Sequence, residues 1–298
     1  MREKFLIVIL IIAAAVAAAF PGASAQDLSA KAQQLITQAR GALGGDKLKS
    51  LSVTGNYRRK MGQMEMEGEV NYELLLPDKM IKTETMNPMP GIEITRIEAL
   101  NGDDVWEDQR QSGGAGANVM IRRGPAGPGA DPKQAQEMMR QFVRSDFARL
   151  LIGWLLTTPT SFPIEFSFAG EAESPEGKAD VLDVKGPDRF AARLFLDQKT
   201  HYPLMLTYQG KKPRVMTMRR TTADPPKNLP GSPDEMKDEI AKQPDVEFRI
   251  YLSDYREVDG VSIPHRLTRT IEDEVNEEFE IKNVKINPQL KAEKFVKK

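Results

Sequence analysis

The 298-residue sequence contains no cysteine and only two histidines. These absences exclude disulfides, cysteine nucleophiles and thiolate metal sites, together with most histidine-rich zinc sites. His201 and His265 each stand near a proline at a predicted strand start, so we interpret both as partly exposed strand residues. We therefore predict no catalytic residue, no metal site and no cofactor, although a catalytic triad is recognised in space and an exported hydrolase stays open as an alternative.

The sequence also lacks a surplus of charge, since its formal net charge is −1. A near-neutral chain does not attract polyanions, which argues against a nucleic-acid partner. The acidic runs at 103–104 and 272–278 lack the spaced oxygen ligands and fixed glycine of a calcium loop, so we predict solvated turns and strand faces. The glycines of 113–118 lack the lysine of a phosphate loop and predict a flexible loop.

The N-terminus has the pattern of a secretory signal. Arg2 and Lys4 precede an apolar run over residues 5–20, which is followed by Ala23-Ser24-Ala25. The rival interpretation is a membrane anchor, but at about 1.5 Å per residue this run covers roughly 24 Å of a hydrocarbon core about 30 Å thick. We predict cleavage after Ala25 and a protein of the periplasm, or secondly a secreted protein, that does not span the membrane.

Two helices are predicted from spacing. Apolar residues recur at helical intervals from Leu28 to Leu43, and Gly44-Gly45 ends that segment. Asp131 as cap and Pro132 in the first turn begin a second helix, which extends to Leu155. The second helix is apolar almost all round at residues 150–156, so we expect its end to be buried on several sides.

Most of the remaining chain has strand character. Residues 64–74 alternate between apolar and acidic, which predicts a strand with one buried and one wet face. Further strands are predicted at 80–85, 92–100, 105–108, 164–168, 180–184, 189–196, 204–208, 214–218, 246–252, 263–269 and 275–284. The absence of strand–helix alternation favours a mainly β (α+β) fold, a large curved antiparallel sheet. We predict one domain over 26–298 with flexible insertions at 112–132 and 223–244; a linker between two domains at the first is the alternative.

Near the C-terminus, the segment "VEFRIYLSDYREVDGVSIPHRLTR" followed by "EFEIKNVKINPQLKAEKFVKK" resembles the closing strands of the LolA/LolB-like lipoprotein-carrier superfamily and its outer-membrane lipoprotein-sorting relatives. The resemblance depends on Tyr255-Arg256, the turn Asp259-Gly260-Val261, Ile263-Pro264, "VKINP" and Phe295. Within it, we interpret 253–258 and 263–269 as a hairpin. Residues 194–206 and 42–55 are similar to other junctions of these proteins, whereas the insert at 112–132 has no counterpart that we can align.

The resemblance implies an unclosed β-barrel with helices covering its concave face, and a function in carrying lipid or the acyl chains of lipoproteins between envelope proteins. The alternative is a sensor or scaffold of the same fold that binds an envelope protein. Adaptable methionines are common on binding surfaces, and we expect the helix 132–155 to be a lid. A concave face filled by the protein's own side chains would overturn the carrier interpretation. The predicted ligand-binding residues are Met64, Met66, Val70, Tyr72, Met138, Phe142, Leu151, Trp154, Phe166 and Phe168.

Overall fold

The computed structural model describes residues 24–61, 64–113, 119–121, 132–212, 217–219 and 244–297. Residues 1–23 of the predicted signal segment and most of the two predicted insertions therefore lie outside the described residues. No helix in the described ranges is long and apolar enough to cross a membrane.

Both predicted helices are present. Helix α1 (Ala25–Leu43) begins at a capping box formed by Ser24 and Asp27 and ends at Gly44, whose φ of 69° is left-handed. Helix α2 has the predicted bounds, Pro132–Leu155. Cleavage after Ala25 would remove the Ser24 cap, so a mature chain of that length would begin one residue inside α1.

Strands make up most of the described chain, and several are longer than the sequence predicts. They are β1 (Ser50–Met61), β2 (Met64–Leu75), β3 (Lys79–Met89), β4 (Ile92–Asn101), β5 (Asp104–Gly113), β6 (Val119–Ile121), β7 (Glu165–Ser174), β8 (Gly177–Lys185), β9 (Ala191–Asp197), β10 (Pro203–Lys211), β11 (Thr217–Arg219), β12 (Asp245–Val258), β13 (Val261–Ile271) and β14 (Glu274–Ile286). Strand β6 was not predicted from the sequence. It lies inside the insertion at 112–132 and pairs with β11.

Twelve of these strands form one antiparallel sheet in the order β5-β4-β3-β2-β1-β14-β13-β12-β10-β9-β8-β7. Strands β5 and β7 are its two edges and do not pair with each other, so the predicted unclosed β-barrel is confirmed. The pairing of β1 with β14 joins the two ends of the chain near the middle of the sheet. One continuous apolar core lies between the concave face of this sheet and both helices.

The predicted closing hairpin is formed by β12 and β13. Val258 pairs with Val261, and the two turn residues Asp259 and Gly260 both have positive φ, as a tight type I′ turn requires. A Cβ on Gly44 would lie 2.1 Å from the carbonyl oxygen of Gly260, so the end of α1 rests directly against this turn. The hairpin thereby fixes α1 on the sheet.

The alternation in β2 is confirmed with one exception. Glu65, Glu67 and Glu69 are exposed, but Glu73 is buried. The C-terminal 3₁₀ helix Ala292–Phe295 covers this part of the outer face, where Lys294 forms an ion pair with Glu73. A segment distant in sequence therefore changes the exposure of a face that looks wet from its pattern alone.

Candidate ligand-binding site between helix α2 and the sheet

The end of α2 fills the concave face of the sheet. Leu151, Ile152 and Trp154 are fully buried, which confirms that this apolar segment is enclosed on several sides. The indole ring of Trp154 lies edge-on to Tyr72, with 5.4 Å between ring centroids, and stacks on Phe279 at 6.4 Å. These aromatic contacts join α2 to the middle strands of the sheet.

A small cavity remains between α2 and the sheet. Its volume is about 50 Å³, enough for a few water molecules. Sites for drug-sized ligands usually measure about 300–1,000 Å³. The concave face is therefore filled by the protein's own side chains in this arrangement, and an acyl chain can enter only if α2 moves. The described residues lining the cavity are Tyr72, Lys82, Glu98, Phe142, Val143, Asp146, Phe147, Arg149, Leu150, Gly153, Trp154, Leu206, Ile250, Leu252, Leu267, Arg269, Glu277 and Phe279.

The structure brings most of the predicted binding residues into the core but few of them to the cavity. Tyr72, Phe142 and Trp154 line it. Of the others, Met66, Val70, Leu151 and Phe168 are buried in the same core, and Phe166 packs against it. Met138 is partly exposed on α2, while the side chain of Met64 lies outside the described residues. Their part in ligand binding stays a prediction.

Charged residues form the other wall of the cavity and continue beyond it across the concave face. We call this set the ionic belt: Arg59, Lys82, Glu84, Arg96, Glu98, Arg269 and Glu277. Arg59 donates hydrogen bonds to Glu277 at 2.5 Å and to Glu84 at 2.9 Å. Lys82 lies 2.8 Å from the same Glu84 oxygen, and Arg96 lies 2.7 Å from Glu98.

The two-residue period of the strands explains how these charges reach the interior. Lys82 and Glu84 share a face of β3 with the buried Met80 and Met86, because alternate residues of a strand point the same way. Cross-strand pairing then aligns charges between strands, as it does for Arg269 of β13 and its partner Glu277 of β14. Opposite charges face each other across neighbouring strands, which stabilises this register.

Glycine allows the belt to cross β2. A Cβ on Gly68 would lie 2.3 Å from the carbonyl oxygen of Thr85 and 2.8 Å from the hydroxyl oxygen of Tyr57. Only glycine fits beneath the Tyr57 ring at this position. The guanidinium carbon of Arg59 lies 4.7 Å from the centre of that ring, so Arg59 passes over β2 to reach Glu84 on β3.

The belt keeps Glu84 and Glu277 ionised. Burial by itself would raise the pKa of Glu84, but the charges of Arg59 and Lys82 outweigh burial and lower the pKa to about 2. Burial likewise opposes ionisation of Glu277, and Arg59 and Arg269 lower its pKa to about 2. The ion pairs are therefore intact at neutral pH.

We expect this belt to make the protein sensitive to acid. Folding lowers both pKa values from the ordinary 4.5, so the stabilisation is complete above about pH 4.5 and is lost as the pH falls towards 2. Denaturant unfolding between pH 7 and pH 2.5 measures this loss. A Glu84→Gln/Glu277→Gln variant should be less stable at pH 7 and show a shallower decline below pH 4.5. An equal decline in both proteins would contradict the prediction.

Arginine side chains also hold the C-terminal end of α2. Arg40 of α1 donates to the carbonyl oxygen of Leu156 at 2.6 Å and 3.0 Å, and Arg144 donates to that of Ser161 at 2.6 Å. Such charge-assisted hydrogen bonds are stronger than neutral ones. Because they join the far end of α2 to α1 and to the following loop, they favour the closed position of the helix.

The ionic belt was not predicted from the sequence, and the predicted solvent exposure of one of its residues was wrong. Glu277 belongs to the acidic run that we predicted to be solvated, yet its side chain is only 16% exposed and pairs with Arg59. A usable signal was present: Arg59, Lys82, Glu84 and Glu277 occur in phase with apolar residues of their own strands. Among the described residues, no group of carboxylates and histidines could hold a metal ion.

His265 lies within β13 as predicted, but its side chain is buried, which corrects the expectation of partial exposure. Its Nδ1 is 2.9 Å from the carbonyl oxygen of Ile263, a local contact of the strand. His201, in contrast, is a turn residue with a φ of 61° just before β10, which corrects its assignment to a strand.

Comparison with known proteins finds solved structures that are similar to this chain in fold. No family model matches the chain, and no curated protein matches it. Among solved structures, it is similar to a domain from Vibrio parahaemolyticus described as an outer membrane lipoprotein-sorting protein, with 11% identity, 90% of this chain and 97% of that chain covered, and a TM-score of 0.48. It is also similar to a LolA superfamily protein from Nitrosomonas europaea, with 10% identity, coverage of 89% and 97%, and a TM-score of 0.47.

A weaker likeness, with a TM-score of 0.23 and 11% identity, is to the MucA/MucB complex of Pseudomonas aeruginosa, covering 87% of this chain and 100% of that chain. Two of these solved structures are described in the same terms as the resemblance noted in the sequence, as a LolA superfamily protein and an outer membrane lipoprotein-sorting protein domain. Sequence identities this low do not assign the chain to a family. They also do not show that it binds the ligand or partner of any of these proteins.

Proposed function

We propose that the protein is a non-enzymatic carrier or binding protein of the bacterial envelope, which holds a lipid or acyl chain between α2 and the sheet. The observation that supports this proposal is the position of α2. A helix whose apolar end is completely buried covers the concave face of an open sheet, and the cavity lies at that contact.

The filled concave face meets the condition stated above against a carrier in this closed arrangement. The proposal therefore requires that α2 move and that the ligand replace contacts made by α2. A displaced α2 would expose the aromatic group formed by Trp154, Tyr72 and Phe279 to an acyl chain. Burying a sixteen-carbon chain at about 0.8 kcal/mol per methylene contributes roughly 12 kcal/mol before the costs of association and ordering. Part of that gain offsets the lost contacts of α2, which lowers affinity and favours release.

Native mass spectrometry of protein purified from the periplasm tests the proposal. Co-purified lipid mass on the folded protein is the expected result. The second candidate function, a sensor or scaffold that binds an envelope protein, is favoured by the small volume of the cavity, because a filled concave face suits a protein that carries nothing. A lipid-free mass together with a specific protein partner in a pull-down would support that function instead.

A charge placed on the cavity wall is expected to impair lipid binding. Phe142 lines the cavity and is only partly buried, so Phe142→Glu should lower lipid affinity at least about tenfold without unfolding the protein. Trp154 is unsuitable for this test because it is fully buried. Gln136→Glu is the matched control, since Gln136 is an exposed residue of the same helix away from the cavity. Equal lipid affinities for the two variants would contradict the assignment of this wall.

A further inference from the structure

Arg149 is a buried cation on the cavity wall with weak compensation. Its side chain is 15% exposed, and its guanidinium carbon lies 3.9 Å from the ring centre of Tyr208 and 5.3 Å from that of Phe190. The buried Nε donates to no described residue. Arg149 is therefore enclosed by aromatic rings with part of its hydrogen-bonding capacity unused.

The carboxylate next to Arg149 is shared. Asp146 Oδ1 is 4.0 Å from Arg149 Nη1, beyond hydrogen-bond distance, and 3.4 Å from Arg269 Nη2. The other two carboxylates that line the cavity have partners of their own, Arg59 for Glu277 and Arg96 for Glu98. No carboxylate is dedicated to Arg149 among the described residues.

The charges around the cavity leave a local positive surplus. The cations are Arg59, Lys82, Arg96, Arg149 and Arg269, and the carboxylates packed among them are Glu84, Glu98, Asp146 and Glu277. The nearest further carboxylate, Glu107, reaches Arg96 from the edge strand and is 45% exposed, so solvent screens it. Burial lowers the pKa of Arg149, which shows that its surroundings disfavour its charge. An anion bound beside Arg149 would stabilise its charge.

We propose that the ligand is an anionic amphiphile whose carboxylate or phosphate is bound by Arg149, with its acyl tail along the apolar wall formed by Leu206, Ile250 and Leu252. This inference rests on the proposed function and specifies its ligand class. A guanidinium presents a planar set of donors that matches the oxygens of both anions, and desolvation by the aromatic rings strengthens the contact. Because Arg149 belongs to α2, an anion held there also keeps the helix near the ligand.

A series of amphiphiles with one twelve-carbon chain tests the proposal in the full-length mature protein. Dodecanoate, dodecyl phosphate, dodecanol and dodecyltrimethylammonium are titrated below their micellar concentrations by calorimetry. The anions are expected to bind about 10- to 100-fold more tightly than dodecanol, and the cation more weakly than dodecanol. The ratio of dodecanoate to dodecyl phosphate affinity then identifies which anion fits.

The variant Arg149→Gln should reduce the preference for anions over dodecanol to near one, and Arg149→Lys should keep part of it. The affinity for dodecanol reports any general damage to the site. Arg256→Gln is the matched control, because Arg256 is 59% exposed and pairs locally with Asp254. Equal binding of anions and dodecanol by the native protein, or an unchanged preference in Arg149→Gln, would overturn this inference and leave the proposed function intact. Failure of all four amphiphiles to bind would overturn the proposed function itself.

Discussion

Locking α2 to the sheet with a disulfide is expected to abolish lipid uptake. The variant is Gly153→Cys/Leu252→Cys, which joins α2 to β12 across the cavity. A Cβ built on Gly153 lies 3.3 Å from Leu252 Cδ2, so the two positions are in contact. Closing the disulfide requires α2 to approach β12 until the two Cβ atoms are about 3.8 Å apart. The cavity of about 50 Å³ cannot hold an acyl chain while α2 stays in place. The oxidised protein should therefore bind no lipid, and reduction of the same variant should restore lipid binding.

The chain is well suited to this experiment because it has no cysteine of its own. Oxidation is verified by mass, and binding is measured on one preparation before and after reduction. The matched control is Gly186→Cys/Ile164→Cys, where a Cβ on Gly186 lies 3.2 Å from Ile164 Cγ2 and no residue of α2 is involved. This second disulfide should leave uptake unchanged in both redox states. Lipid binding by the oxidised α2-locked protein would show that the ligand site lies elsewhere.

The lock also separates the two candidate functions. A carrier must open, so its function depends on the redox state of the locked variant. A scaffold that recognises an envelope protein through its closed form does not depend on this opening, and its partner should bind the oxidised and reduced proteins equally. The locked protein should also be more stable to denaturant, since a disulfide restricts the unfolded chain. Loss of lipid uptake therefore cannot be attributed to unfolding.

Local sequence patterns predicted the elements and their order well. The bounds of α2, the end of α1 at Gly44 and the hairpin around Asp259-Gly260 were all readable, because each depends on neighbours within a few residues. Helix caps, tight turns and the spacing of apolar residues depend on nearby residues, and they determine most elements of this fold. The position of α2 across the concave face followed from its apolar end.

The ionic belt could not be predicted in the same way. Arg59 and Glu277 are separated by 218 positions and meet only because β1 pairs with β14, a choice that no local pattern records. A charged residue in a strand is normally placed on the wet face, so Lys82 and Glu84 looked unremarkable despite sharing the phase of Met80 and Met86. The size of the cavity could not be predicted either, because it depends on how side chains that are distant in sequence pack together.

Replacing Arg59 is expected to have the largest effect on stability of any single substitution in the belt. Arg59 donates hydrogen bonds to two carboxylates of the belt, Glu84 and Glu277. Arg59→Met would leave Lys82 and Arg269 as the neighbours of these buried charges, which compensates them only in part. Removing one partner from a buried ion pair typically costs about 3–5 kcal/mol in the free energy of unfolding. Urea unfolding at pH 7 measures the change.

The matched control is Arg256→Met, which breaks a local ion pair on the surface and should cost less than about 1 kcal/mol. A loss below that value for Arg59→Met would show that the belt is hydrated and contributes little. The triple variant Arg59→Met/Glu84→Gln/Glu277→Gln removes both carboxylates together with Arg59 and leaves Lys82 beside Glu98 and Arg269 beside Asp146, so it should recover part of the lost stability. Its preference for anionic ligands should be retained, because Arg149 is unchanged and the substitutions remove more negative than positive charge from the belt.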